Sequence, residues 1–194
     1  MQTQSHWLMT AGLNQVLQRR QVRVQSRAFL LGSLLPDVPF WLLTAMGEIY
    51  YTWFAHTPTG ESPMVYLHFR LYFTDPVWIV SHNLFHAPII LLSLLLAGWV
   101  GARAEQRWGA SLLWFVCGAG LHSLIDIGTH NTDGPLLLFP FDWTYRFPSP
   151  VSYWDPAHYG SIFMPLELAL DIGLVIYLLV LWRRQWLNRK RAHT

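Results

Sequence analysis

Charge is scarce in this chain. Only 12% of its 194 residues are Asp, Glu, Lys or Arg, against roughly 25% in a soluble domain. That deficit excludes an ordinary water-soluble globule and points to lipid as the solvent. Cysteine is scarcer still. A lone Cys117 permits neither an intrachain disulfide nor a zinc site built of thiolates. The first 18 residues hold no Lys, Arg, Asp or Glu, so no secretory signal with a basic leading segment is read there. There is no internal repeat, low-complexity tract or linker, which leaves one domain over residues 1–182 and a basic cytoplasmic tail at 183–194. The 11 Trp read as packing and membrane-interface material. They form no stacking platform, and no nucleic-acid partner is expected.

What the chain has instead is apolar length. Segments 28–46, 77–101, 109–127 and 166–182 each approach the roughly 20 residues a spanning helix needs. The first is interrupted by Pro36, Asp37 and Pro39 and is expected to break there. The stretch from His6 to Gln18 is too short to span, at roughly 20 Å of helix. It lies either on the cytoplasmic surface or as one arm of a hairpin with 28–37, which would bring His6 and Asp37 to one depth. The expected fold is all-α, a polytopic membrane helical bundle of about four transmembrane helices. A short N-terminal membrane-embedded helix and an external cap loop complete it.

Except for Arg70 and Arg146, all 13 Lys and Arg precede the first span, join the second to the third, or follow the fourth. The positive-inside rule places those ends, the C-terminus included, in the cytoplasm. Residues 47–76 and 128–165 then face the other side. The second of these loops is rich in Pro, Gly and aromatics (GPLLLFPFDWTYRFPSPVSYWDP) and is expected to lie as an ordered cap on the membrane surface.

Polar residues within apolar segments carry the functional signal. His122 and Asp126 are one helical turn apart in GASLLWFVCGAGLHSLIDI, on one helix face. His82 and His86 repeat that spacing in SHNLFHAP, with the choice between them as ligand left open. Asp37 lies part-way down the first segment, and His130, Asp142 and His158 fall in the cap. Ionisable groups inside a membrane are costly and mark sites. This mixture of imidazole and carboxylate suits a divalent ion such as zinc. Blander roles fit other positions: Asp142 and Asp155 as turn formers, and Glu167 with Asp171 as polar contacts to neighbouring helices. His56, His68 and His193 read as surface residues, and RRQWLNRKR as an anchor on anionic lipid.

Taken in order, the elements SHWLMTAG, GSLLPD, HNLFHAP and GAGLHSLIDIGTHNTDGPLLLFPF resemble those of a bacterial membrane-bound metal-dependent hydrolase family. That family includes the LexA-regulated inner-membrane YdjM type. The resemblance covers residues 5–143 and implies a multi-pass protein of the bacterial inner membrane. The family is in turn similar, in ligand order, to zinc-dependent phospholipase C. By that resemblance His6, Asp37, one of His82 and His86, His122 and Asp126 are metal ligands, with Asp126 bridging. His130 and His158 match later histidines. Two departures bear on the ion count. The glutamate that follows the last histidine by four residues is here Ile162, and the usual His-Arg-Gly-x-x-His-Ser is here His-Asn-Leu-Phe-His-Ala. One or two ions, rather than three, is the expectation.

The reading that follows is a hydrolase acting on a lipid or lipid-linked ester or phosphodiester at the outer half of the membrane, with Asp37 and His130 as candidates for the catalytic base. Three competitors stand beside it: a metal-binding or metal-transporting protein, a haem protein with axial His86 and His122, and a structural membrane protein. The inner halves of spans two and three hold almost no ionisable group, which argues against transport. Oligomeric state is not legible.

Overall fold

The structure, a computed structural model, describes residues 1–192. His193 and the end of the basic tail lie outside the described residues. Regular structure among the described residues is helical, apart from one isolated bridge between Leu136 and Arg146. The principal helices are α1 (Thr3–Arg19), α2 (Ser26–Leu34), α3 (Val38–Trp53), α6 (Pro76–Asn83), α7 (Pro88–Arg103), α8 (Arg107–Thr129) and α9 (Gly160–Ala192). Between α3 and α6 run two short pieces, α4 (Pro63–Tyr66) and α5 (Tyr72–Thr74), joined by a π-helical turn at Leu67–Leu71. Two helices, α8 and α9, are long and apolar enough to cross a membrane. The count rises to four if the bent pairs α2–α3 (42°) and α6–α7 (47°) are each one broken span.

The break between α2 and α3 falls at the expected Pro36–Asp37. That between α6 and α7 was not expected, although Pro88 explains it. Pro88 occupies the first turn of α7 and cannot continue an incoming helix, and the residue before it, Ala87, is forced to extended backbone. The N-terminal segment takes the hairpin form. Helix α1 packs antiparallel on α2, with Ser26 Oγ donating to Asn14 Oδ1 at 3.0 Å. At the other end Thr3 Oγ1 donates to Asp37 Oδ2 at 2.5 Å.

Helices α2 and α8 approach backbone to backbone. A Cβ built on Gly32 would stand 2.0 Å from the Phe115 carbonyl oxygen, and one on Gly118 would stand 2.1 Å from that of Phe29. Small residues at such a crossing substitute for the hydrophobic drive that lipid removes. Large apolar side chains point outward instead, among them Trp41, Leu42 and Met46 on α3 and Leu166, Leu168 and Ile176 on α9. The 128–165 loop packs back on the helices. Leu136 and Phe139 pack on Ile79 and Ala87 at the α6–α7 break, and Asn83 Oδ1 accepts the Leu136 N–H at 2.7 Å.

Gly118→Ala and Gly32→Ala are expected to force α2 from α8, at a cost of at least about 1–3 kcal/mol. Gly120→Ala, which meets no atom within 4 Å, is expected to be neutral or stabilising. Thermal unfolding in detergent checks both, and equal behaviour of the three variants would contradict the close crossing.

Candidate metal centre

Four side chains converge where the two helix breaks meet α8. Asp37 arrives from the α2–α3 break, His86 from the α6–α7 break, and His122 and Asp126 from successive turns of α8. One donor atom from each lies within 4.8 Å of all the others, and no other such group of three or more occurs among the described residues. His86 and His122 are fully buried, and Asp126 is nearly so.

Backbone carbonyls fix both imidazoles. His122 Nδ1 donates to the Ser33 carbonyl at 2.8 Å, and His86 Nδ1 to the His82 carbonyl at 2.5 Å. A carbonyl cannot donate, so the neutral rings carry their lone pairs on Nε2. Those two Nε2 atoms stand 3.0 Å apart. From His86 Nε2 it is 3.3 Å to Asp37 Oδ1 and 3.6 Å to Asp126 Oδ2. From His122 Nε2 the same distances are 3.4 and 3.1 Å. Four ligands held roughly 2.0–2.1 Å from a tetrahedral ion stand about 3.3–3.4 Å from one another. The five contacts bracket that edge. Without a cation, lone pairs and carboxylates face each other in an apolar interior, which is strongly unfavourable. The donor set therefore fits a divalent metal ion. It does not fit haem, whose trans nitrogen ligands lie roughly 4 Å apart across the iron.

Asp126 divides its oxygens. While Oδ2 faces the two histidines, Oδ1 lies 2.9 Å from His6 Nε2 and 2.8 Å from the Met1 ammonium. The His6 ring stacks on that of His122, centroids 3.7 Å apart, and its Nδ1 is buried without a partner. His130, just beyond α8, donates from Nδ1 to the Asp126 carbonyl at 3.0 Å. Burial holds the His130 pKa below its ordinary value.

The remaining candidates sit apart from the four. His82 stacks on His86, centroids 4.4 Å apart, and neither of its nitrogens has a partner. His158 pairs with Asp155 in the cap, Nδ1 to Oδ2 at 2.7 Å, and that bond keeps the Asp155 carboxyl below its usual range. Asp142 is a turn former, its Oδ1 accepting the Thr144 and Tyr145 N–H groups. Glu167 and Asp171 contact α1, as expected, accepting from the Gln2 N–H and the Ser5 hydroxyl at 2.7 and 2.9 Å. His56 is exposed.

A cavity of about 640 Å³ abuts the cluster, with Asp37, Asp126, His82 and His130 in its wall. His68, read from sequence as a surface residue, lines this cavity as well. Its ring meets Phe40 edge-on at 5.4 Å. Tyr72, Asp133 and Tyr153 also line it and carried no sequence signal.

The model of the YdjM inner membrane protein family matches residues 1–190. The chain belongs to the YdjM inner membrane protein family. No curated protein and no solved structure matches it. Membership extends the family likeness through α9, beyond the residue-143 limit of the quoted motifs. It joins a membrane protein of the YdjM family to a His/Asp cluster able to hold a metal ion.

His86→Ala and His122→Ala are each expected to weaken divalent-metal binding by more than the roughly 10–100-fold typical of losing an outer partner. His158→Ala is expected to leave it unchanged. Metal content after dialysis against graded chelator measures this, and an inert His86→Ala would remove His86 from the centre.

Proposed function

We propose that the chain is a membrane-bound metal-dependent hydrolase, with zinc as the ion by donor chemistry. It cleaves an ester or phosphodiester of a lipid or lipid-linked substrate. The observation that carries this reading is that the converged donors and the cavity share a wall, since Asp37 and Asp126 belong to both. Asp37, His86, His122 and Asp126 would hold the first ion, and His6 with Asp126 Oδ1 would be donors to a second in place of the Met1 ammonium that now meets Oδ1. When bound, such an ion supplies Lewis acidity toward an ester or phosphoryl oxygen and lowers the pKa of water.

The chain's own groups do the rest. Asp37 has both oxygens engaged, Oδ1 toward the two histidines and Oδ2 with Thr3, which argues against its serving as base. His130 donates from Nδ1, so its Nε2 carries the lone pair on a residue that lines the cavity. There it takes a proton from the attacking water and returns it to the leaving oxygen. The distribution of Lys and Arg supports a multi-pass protein of the bacterial inner membrane with a cytoplasmic C-terminus and the centre in the outer half.

One observation favours a second reading, as a metal-binding or metal-transporting protein. His6, Thr10, Asn14 and Gln18 recur every four residues along α1, and the first three are buried. Gln18 donates to Ser26, and Ser26 to Asn14. This polar stripe runs from the centre toward the arginine-rich turn, a path that the second and third spans do not offer. Zinc uptake by vesicles containing the reconstituted protein tests it.

For the hydrolase, chelator and His122→Ala are expected to abolish release of headgroup from inner-membrane lipids. His130→Ala is expected to lower kcat by roughly 10²–10⁴-fold while the first ion stays bound. A wild-type protein purified without stoichiometric metal, and unable to take it up, would sink the proposal.

A further inference from the structure

We propose that the cavity holds the hydrocarbon chain of an amphiphilic substrate, which enters sideways from the bilayer between α3 and the 63–74 segment. The inference rests on the reading of the same site as a lipid hydrolase and adds where the chain lies. Three observations carry it.

The first is the wall. One side of the cavity is bounded by Phe40, Trp41, Met64, Phe69 and Phe73, while the polar lining (Gln2, Thr3, Gln4, Thr132 and Asp133 among it) comes from the start of α1 and from the cap. On that apolar side each buried methylene gains from leaving water, and the polar side is left to the headgroup. The second is continuity with the outside. Trp41, Met64 and Phe69 line the cavity and are also 62%, 52% and 55% exposed. On α3 the exterior continues as Leu42, Met46 and Ile49, an unbroken apolar surface of the kind that meets lipid. A chain can pass from that surface to the donors without crossing water.

The third is closure from above. Trp154 of the cap donates from Nε1 to Asp133 Oδ2 at 2.8 Å, and its ring meets Phe69 edge-on at 6.3 Å. The cap is thereby tied to the rim. Below, Leu67 anchors the 63–74 segment to α3, lying where a Cβ on Gly47 would meet its Cδ2 at 2.7 Å. Trp41 and Met64, which line the cavity and are exposed, mark the proposed entrance between α3 and the 63–74 segment. The π-helical turn at Leu67–Leu71 interrupts the regular register in that same segment, a distortion that recurs at functional sites.

The test uses the full-length protein in detergent micelles, with and without added zinc. The probe is a lysophosphatidylethanolamine carrying a diazirine at mid-chain. After irradiation, label is expected on Trp41, Met64, Phe69 or Phe73, and it is expected to fall about tenfold in Trp41→Glu/Met64→Glu. Both replaced side chains are exposed, and circular dichroism confirms that the variant is folded. Chainless glycerophosphoethanolamine is expected to compete roughly 100-fold less well than the unlabelled lysolipid. Equal competition, or label confined to the outer faces of α7 and α9, overturns the chain site. Cavity label without turnover of any lipid sustains the chain site and sinks the hydrolase reading. Turnover with label only on α7 and α9 does the reverse.

Discussion

Asp126 lies 4% exposed on a helix apolar enough to cross a bilayer, and the Met1 ammonium meets only its Oδ1, at 2.8 Å, leaving Oδ2 to face the two histidines. A carboxylate so placed costs several kcal/mol unless a cation compensates it. Asp37 approaches the same histidines, which doubles the requirement. The two imidazoles do not meet it as neutral rings, because Ser33 and His82 carbonyls have already turned their N–H groups away from the carboxylates. What the interior presents is a convergence of lone pairs, and a divalent ion relieves all of it at once.

A regular helix could not deliver this set. Side chains on an unbroken span are spread along its axis, whereas the centre needs donors from several elements at one depth. The chain solves this by bending two apolar helix pairs, α2–α3 and α6–α7, at the level of His122 and Asp126. Irregular backbone inside a membrane is tolerated only where its polar groups are satisfied within the protein. Here Ser123 donates to the His86 carbonyl, and Asn83 accepts the N–H of Leu136 from the cap. The same hydrogen bonds that make the break affordable also dock the cap over the cavity. Contact between Gly32 and Gly118 sets α2 against α8 closely enough for Ser33 to reach His122.

How much of this was legible depended on whether the cause was local. The Pro36–Asp37 break, the His122/Asp126 pair and the apolar spans follow from proline chemistry, helical spacing and hydropathy. The α1–α2 hairpin was one of two readings until the Thr3–Asp37 bond and Ser26 contacts supported it. Spacing alone cannot separate His82 from His86, since both lie on one helical face. The break that Pro88 imposes between them turns His86 toward α8 and leaves His82 stacked behind. His68 stays partly exposed, as read, but its place in the cavity wall was not legible: its neighbours Met64, Phe69 and Arg70 are exposed, and its ring packs edge-on to Phe40 in the π-helical turn.

Residues 144–194, on which the quoted motifs say least, serve the centre through α1. Helix α9 is largely exposed, and lipid gives apolar helices little reason to associate. Its specific contacts are polar: Glu167 accepts the Gln2 N–H at the positive end of α1, where an anion is favoured, and Asp171 accepts from Ser5. No acidic residue occurs in the first turn of α1 itself, so Glu167 supplies that charge from the neighbouring helix. These two bonds are four residues apart on α9 and three apart on α1, a spacing that fixes both rotation and height of the shorter helix. His6 follows Ser5 directly, and its contact with Asp126 depends on that register. Helix α9 thus acts at a distance of one helix, holding α1 at the height where its histidine meets the second oxygen of Asp126.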